Sequence, residues 1–391
     1  MKTIFDVLII GGGIHGMHLF HLIKKRTGNR LLVGVADPNP APLHNWKHCT
    51  TNTGMDYLRS PEVHHIDIDP FALNRFCRNH HTLESKPFIA PNRRPSLELF
   101  NEHSQNVLSE YKLPDFWLQT FIKDIELDAS GVKVISEDGE IHARHIIIAV
   151  GNGHQLDIPK WAQTLQNEGF PIHHIYSPDF SLQNYNEGFH TVVVGNGMGA
   201  VQTFIKLAEL HPGKITLVTK EKIKVSDYDL DPGWMGPKHL QKFYSEKEHS
   251  KRRALIKSAR KGGTITSDIS QKLKQSLKRN NVTHVIETIE SAELFGSDSA
   301  YLKLVNGEYL FCNQILLGTG FSSVLNSPLI QNLKNNKDLR CSECGYPIVD
   351  PFLRWHDHIS VTGELAELEI GPAARNIIGA RHAGERIKIL F

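Results

Sequence analysis

Apolar runs that stop on glycine punctuate this chain. The first is Val7-Leu8-Ile9-Ile10, closed by Gly11-Gly12-Gly13, and behind it Met17 to Lys25 carries Leu19, Leu22 and Ile23 at helical spacing. A short apolar run bounded by glycine predicts a buried strand, and apolar positions three and four apart predict a helix. A second strand, Leu31 to Ala36, ends on Asp37 before Pro38. A polar segment follows to about Pro70, where Pro38, Pro40, Pro42, Pro61 and Pro70 oppose long helices. Phe71 to His80 and Ser96 to Tyr111 read as helices. Trp117 to Leu127, Val132 to Ser136 and Glu140 to His142 read as an antiparallel meander with Asp138-Gly139 as a hairpin turn. Arg144 to Val150 is another buried strand, closed by Gly151-Asn152-Gly153, and Trp161 to Glu187 reads as an irregular connection.

The opening pattern then recurs. Thr191 to Val194 is a strand, Gly195-Asn196-Gly197-Met198-Gly199-Ala200 a turn, Val201 to Leu210 a helix and Lys214 to Thr219 the next strand. Gly236 to Gly262 is basic and mostly helical, and Ser267 to Lys278 is a further helix. Strands are expected over Val282 to Ile286, Ser291 to Phe295, Ala300 to Val305 and Glu308 to Leu317, the last ending on Gly318-Thr319-Gly320-Phe321. Ile359 to Glu364 forms one more strand with a glycine stop. Pro372 is expected in the first turn of a final helix reaching about Ile389, since proline lacks only an N–H that no helix uses there.

The glycines carry chemistry. Gly11, Gly13 and Gly16 have the spacing G-x-G-x-x-G, and Gly195, Gly197 and Ala200 repeat it with alanine last. In a strand–turn–helix the first glycine permits the tight turn, the second lets a pyrophosphate approach the backbone, and the third lets helix and strand pack closely. The helix N-terminus then offers free N–H groups to the phosphates. Asp37 stands twenty-one positions after Gly16, where an acid can accept from ribose hydroxyls. Two such turns predict two nucleotide sites. After the second, the strand ends Leu217-Val218-Thr219-Lys220 without an acid, and Lys220, with Lys222 nearby, reads either as a contact for a 2′-phosphate, which favours NADPH over NADH, or as part of a solvated lysine cluster. The basic run Lys251-Arg252-Arg253 with Arg260-Lys261 reads either as a solvated helical face or as a lid over a phosphate-bearing cofactor.

Composition narrows the partners. With 391 residues the chain suits two domains or one interrupted domain, and 44 Lys plus Arg against 42 Asp plus Glu gives no support for a nucleic-acid partner. Five Cys suit a reducing compartment better than a disulfide framework. No signal segment and no apolar run of about 18 residues is read, so the expectation is a cytoplasmic protein without membrane insertion. Nothing in the sequence speaks to oligomeric state.

Together, the two glycine turns, Leu316-Leu317-Gly318-Thr319-Gly320-Phe321 and Val361-Thr362-Gly363-Glu364 resemble the two-dinucleotide flavoproteins: flavin-containing monooxygenases, ornithine and lysine N-hydroxylases and, more distantly, thioredoxin reductases. The resemblance implies an α/β fold of two Rossmann-like domains, the NADPH domain inserted into the FAD domain. The implied division is 1–165 for the first part of the FAD domain, 166–315 for the NADPH domain and 316–391 for the return. It implies that Gly11, Gly13, Ile14, His15, Gly16, Asp37 and Gly151 hold FAD, with Gly363, Glu364 and Pro372 finishing the site. Gly195, Gly197, Met198, Gly199 and Lys220 would hold NADPH. Family members often have Asp where this chain has Glu364.

The reaction implied is monooxygenation of a small nitrogen or sulfur centre with molecular oxygen, and the resemblance names no catalytic residue. The early segment with Trp46, Met55 and Tyr57 is long enough to shield a flavin face, and shielding matters because a flavin–oxygen adduct decays to peroxide when water and protons reach it. Trp234 is a further candidate wall, and His15, His64 and His65 candidate contacts. Cys341-Ser342-Glu343-Cys344 offers a different outcome, a thiol/disulfide reductase; a structural turn and, with His356 and His358, a metal site are its other readings, and no metal is expected. A third reading is a non-catalytic nucleotide-binding protein on the same fold.

Overall fold

The protein is described from a computed structural model covering residues 3–79, 86–128, 131–153, 155–182, 188–296 and 298–391. The apolar runs become the strands of two largely parallel sheets. In the first, β1 (Ile4–Ile10) lies between β2 (Val33–Asp37) and β8 (Gly139–Ile148), parallel to both, with Ile9 opposite Val35 and Ile147. Beyond β2 comes β5 (Trp117–Gln119), and beyond β8 come β20 (Ile359–Val361) and β19 (Arg354–His356). A meander of β6 (Ile122–Asp128) and β7 (Gly131–Ser136) attaches antiparallel to β8. Val7 to Ile9 and Ile146 to Ile148 are fully buried. Runs without alternation need both faces covered. On one face α1 (Ile14–Thr27) packs against α4 (Leu97–Ser109) and α12 (Ile377–Ile387).

The second sheet runs β14 (Thr283–Ile286), β11 (Ile215–Thr219), β10 (Thr191–Val194), β18 (Gln314–Leu317), β9 (Ile172–His174), all parallel. Successive residues feed opposite cores. Val193, Leu217 and Leu316 pack under α6 (Met198–Leu210) and α9 (Ser267–Arg279). Val192, Val218 and Leu317 pack under α5 (Lys160–Asn167) and an antiparallel sheet of β15 (Ile289–Leu294), β16 (Ala300–Leu304) and β17 (Tyr309–Cys312). In sequence the second sheet lies wholly between β8 and β19 of the first. The expected α/β class with two Rossmann-like sheets is what the chain forms. Two short ladders, β3 (Phe88–Ile89) with β4 (Arg94–Pro95) and β12 (Lys224–Val225) with β13 (Thr264–Ile265), lie in the connections. Helices α2 (His44–Asn52), α3 (Ala72–Asn79), α7 (Pro237–Ser245), α8 (His249–Ala259), α10 (Pro328–Lys334) and α11 (Glu367–Ile370) complete them.

Several elements depart from the pattern-based expectation. Trp117–Gln119 is no part of the meander; it pairs in parallel with β2, and Thr120 N donates to Asp37 O at its end. Glu140–His142 and Arg144–Ile148 are one strand, β8, whose first half serves β7 and whose second half serves β20. The segment from Trp161 holds α5, with Ala162 and Leu165 buried, and edge strand β9; its residues 183–187 lie outside the described residues, as does His80. Nine-residue α2 fits between Pro42 and Pro61. Glu308–Leu317 divides at Asn313 into strands of different sheets. The last helix begins at Ile377 with Asn376 as its N-cap, not at Pro372. Gly371, at φ 99°, ends α11, and Pro372 follows it as prolines follow a helix stop. No helix among the described residues is long and apolar enough to cross a membrane.

Candidate functional site

A cavity of about 430 Å³ opens at the carboxyl ends of β1, β2 and β8. The first glycine turn forms its floor. Gly11 sits at φ 112°, and a Cβ there would lie 2.6 Å from Ala149 O. A Cβ on Gly16 would lie 1.8 Å from Gly11 O, so helix and turn touch only because Gly16 carries no side chain. Gly13 differs: a Cβ would meet nothing within 4 Å, and the residue lines the cavity. It is the N-cap of α1, with no side-chain cap and no acid in the first turn. The helix thus presents unsatisfied N–H groups to an open cradle, which fits a pyrophosphate. Ile14, His15, Asp37 and Gly151 also line the cavity.

Asp37 organises this turn. Its Oδ2 accepts from Gly12 N at 2.6 Å, and its Oδ1 accepts from Asn39 N at 2.9 Å and Asn39 Nδ2 at 2.8 Å. A carboxylate offers about four acceptor positions, so one remains for a ligand. His15 Nε2 donates to Asn376 O at 3.1 Å, which leaves Nδ1 to accept from Thr362 Oγ1 at 2.8 Å. Burial pushes this imidazole down to about 4, so it is neutral near pH 7 and ties α1 to the cap of α12.

The opposite wall holds Gly363, Glu364 and Arg375. Glu364 is 4% exposed and fully engaged. Its Oε1 accepts from Ser323 Oγ at 2.5 Å, Tyr346 Oη at 3.0 Å and Arg375 Nη2 at 3.0 Å, and its Oε2 from Asn152 Nδ2 at 3.2 Å. Arg375 Nε also bonds Glu367 at 2.8 Å, so one guanidinium bridges two buried carboxylates at the cavity rim. Pro372 is not in the wall; its carbonyl accepts from Arg260 Nη1 at 2.8 Å. Arg252 bonds Leu368 O and Glu369, both at 2.9 Å, and Arg253 bonds Glu367. The basic stretch is therefore no plain solvated face. Its arginines turn inward and latch α8 to the loop that carries Glu364 and Arg375.

The second turn repeats the first. Gly195 has φ 147°, and a Cβ would lie 2.4 Å from Gly318 O. Gly197 opens on free space and is an N-cap of α6 without a side-chain cap, with Met198 and Gly199 next in the helix. Lys220 is exposed beside it, its N–H donating to Asn196 Oδ1 at 3.1 Å.

Trp46 lies in the cavity wall with Nε1 donating to Asn101 at 3.0 Å; Met55, Tyr57 and Trp234 do not line it. His64 and His65 are buried elsewhere, His65 against His103 near Asp67. Among the described wall residues the only thiol is Cys49. Cys341 and Cys344 are free thiols in a turn outside the wall, Ser342 Oγ lying 3.0 Å from Cys344 Sγ. Among the described residues no group of three His, Cys, Asp or Glu could hold a metal ion. Ser323, Tyr346 and Arg375 were given no role by sequence reading, and Phe321 entered it only as the last residue of a glycine-stop motif. Asn152 had the one local signal, glycine on either side.

Cradles of this kind on two parallel sheets define the class of FAD- and NAD(P)-dependent oxidoreductases. The sequence profile described as pyridine nucleotide-disulphide oxidoreductase matches residues 71–267, half of the chain, and the chain belongs to that family. No curated protein sequence matches. Among solved structures the chain is similar to the ornithine hydroxylase of Pseudomonas aeruginosa, with TM-score 0.76, 17% identity, and 99% of this chain and 98% of that chain covered. The ornithine N-hydroxylase of Kutzneria sp. 744, solved with reduced FAD and NADP+, gives TM-score 0.76 at 12% identity with 99% of each chain covered. The bacillithiol disulfide reductase of Bacillus cereus gives 0.61 at 14%, with 99% and 98% covered. At such identities the likeness shows the fold.

Proposed function

We propose that the chain is an NADPH-reduced flavoprotein monooxygenase that holds FAD in the cavity at the first turn and NADPH at the second, and acts on a small nitrogen- or sulfur-containing substrate with molecular oxygen. The observation that carries the choice is the wall of the cavity, where Cys49 stands without a second described thiol while Cys341 and Cys344 lie apart. Relatives that reduce disulfides usually keep a thiol pair in reach of their flavin. When bound, FAD would supply acceptance of hydride from NADPH and its delivery onward.

The residues divide that work. Gly11, Gly13, Ile14, Gly16 and Gly151 shape the cradle, and Asp37 holds Gly12 N while keeping an acceptor position for ribose. His15, neutral and bonded on both ring nitrogens, joins the cradle to Thr362 and the α12 cap. Glu364 and Arg375 fix the far rim. Gly195, Gly197, Met198 and Gly199 form the second cradle, and Lys220 is placed to meet a 2′-phosphate. Trp46 and Phe321 keep water from the cavity. We assign the FAD part to the first sheet and the inserted NADPH part to the second, with limits near 160 and 317 rather than 166 and 315, because α5 packs on the second core and β18 runs to Leu317.

The test is to load the purified protein with FAD, reduce it with NADPH without oxygen, admit oxygen, and record the flavin spectrum and peroxide. Fast NADPH-dependent bleaching supports the reading. A protein that takes up no FAD, or that NADPH does not reduce, would count for a non-catalytic binder.

A further inference from the structure

Two aromatic rings stand between the glycine turns. Phe321 follows the turn at the end of β18, lines the first cavity and is 38% exposed. Its ring lies 4.8 Å from that of Tyr176 at an interplanar angle of 18°, a stacked pair. At the other end, the Tyr176 hydroxyl sits 2.0 Å from where a Cβ on Gly199 would be. Gly199 is the second residue of α6, whose N-terminus is the second cradle. The pair therefore reaches from the wall of one nucleotide cavity to the mouth of the other.

The two rings are not held alike. The loop after Tyr176 is pinned to α2: His48 Nε2 donates to Ser177 O at 2.8 Å and Asn52 Nδ2 donates to Phe180 O at 2.6 Å. The helix α2 also carries Trp46 and Cys49 in the cavity wall. The backbone around Phe321 is held as well, Asp157 N donating to Gly320 O at 3.0 Å and Ser322 N to Gln155 O at 2.8 Å, but its ring is exposed. Of the two side chains, Phe321 is the one with open space to turn into.

Transfer between two bound nucleotides requires reacting atoms about 3–3.5 Å apart. A nicotinamide held at the second turn is a flat six-membered ring, and this pair stands between that turn and the first cavity. We infer that Tyr176 and Phe321 form an aromatic door, and that the nicotinamide enters by displacing Phe321 and stacking on Tyr176 in its place. The oxidised ring is cationic, and the face of a tyrosine attracts it. The inference rests on the reading of the second turn as the NADPH site.

The two residues then have opposite effects, which a merely structural pair would not. The experiment titrates NADP+ into the FAD-loaded protein by calorimetry and measures anaerobic reduction by NADPH in stopped flow. Phe321→Ala removes the competing ring, so NADP+ should bind about two- to tenfold more tightly and the limiting reduction rate should rise. Tyr176→Ala removes the platform, so NADP+ should bind more weakly by a similar factor and reduction should slow. Tyr176→Phe keeps the platform and should stay within about twofold of the parent. Weaker binding in both alanine variants, or no change in either, overturns the door. If the FAD-loaded parent binds no NADP+ and NADPH does not reduce it, the proposed function falls and the door with it. If the parent behaves normally while neither alanine variant moves, only the door falls.

Discussion

Replacing Asp37 by alanine should damage the first turn twice. The carboxylate holds three donors, Gly12 N, Asn39 N and Asn39 Nδ2. The two Asn39 groups are half-buried and water can replace their partner. Gly12 is buried, so its N–H is stranded in the variant. An unsatisfied buried donor costs about 1–3 kcal/mol. The FAD-free variant should therefore melt at a lower temperature than the FAD-free parent. If the remaining acceptor position also serves a ribose, FAD binding loses a further amount of the same order, about 1–3 kcal/mol. That corresponds to a dissociation constant raised about 5- to 160-fold. Titrating FAD into the stripped proteins, with flavin fluorescence as the signal, measures the second loss apart from the first. Asp37→Asn keeps one acceptor oxygen and should fall between. An alanine variant that melts like the parent and binds FAD equally well would refute the role given to Asp37.

Other expectations follow from the same geometry. Gly16→Ala places a methyl 1.8 Å from Gly11 O and should abolish FAD retention on purification; an alanine variant with full flavin content would contradict it. Lys220→Ala should cut kcat/KM for NADPH by about two- to fivefold with little change for NADH, as loss of an exposed ion pair to a 2′-phosphate would; equal losses with both cofactors would tell against it. Ser in place of both Cys341 and Cys344 should leave NADPH oxidation in air intact, whereas loss of turnover would favour the thiol/disulfide reductase. Burial lowers His15, His18, His64 and His103 to about 4 and His65 to about 3. These folded-state values lie below the unfolded value of 6.5, so the stability contributed by the neutral forms is fully present above pH 6.5. It is lost as pH falls toward 4, where the native protein begins to take up the same protons. Melting temperatures of the FAD-free protein should drop across that window, and a flat profile would be contrary.

The strands and cradles were legible because their signals are local. Val7 to Ile10 and Thr191 to Val194 are apolar without alternation and stop on glycine, and only a buried parallel strand meeting a turn satisfies both features. Gly16 could be read because its reason, contact with Gly11 O, lies five residues away. The start of the last helix was misread because a proline after a glycine suits a helix stop as well as a helix start, and here Gly371 ends α11. Trp161 to Asn167 showed too few apolar positions to declare a helix, since Ala162 and Leu165 are its only fully buried residues and Trp161 packs against the core in part. The far rim was legible only in part, through the glycine stops beside Glu364 and Asn152, and its other members carried no local signal. Glu364, Asn152, Ser323, Tyr346 and Arg375 converge from four separate segments, and what unites them is a buried carboxylate that needs partners. The arginines of α8 looked like a charged surface because their partners, Glu367 and Glu369, lie more than a hundred residues further on.

The central claim is that two nucleotide cradles on one chain pass reducing equivalents from NADPH to a flavin and on to oxygen. Stopped-flow mixing of the FAD-loaded protein with NADPH without oxygen, followed by a second mix with oxygenated buffer, tests it most directly. The account predicts bleaching of the flavin by NADPH, slower bleaching by NADH, and return of colour with oxygen that Cys341→Ser and Cys344→Ser together do not alter. A protein that stays colourless with added FAD, or whose flavin NADPH leaves oxidised, would contradict it.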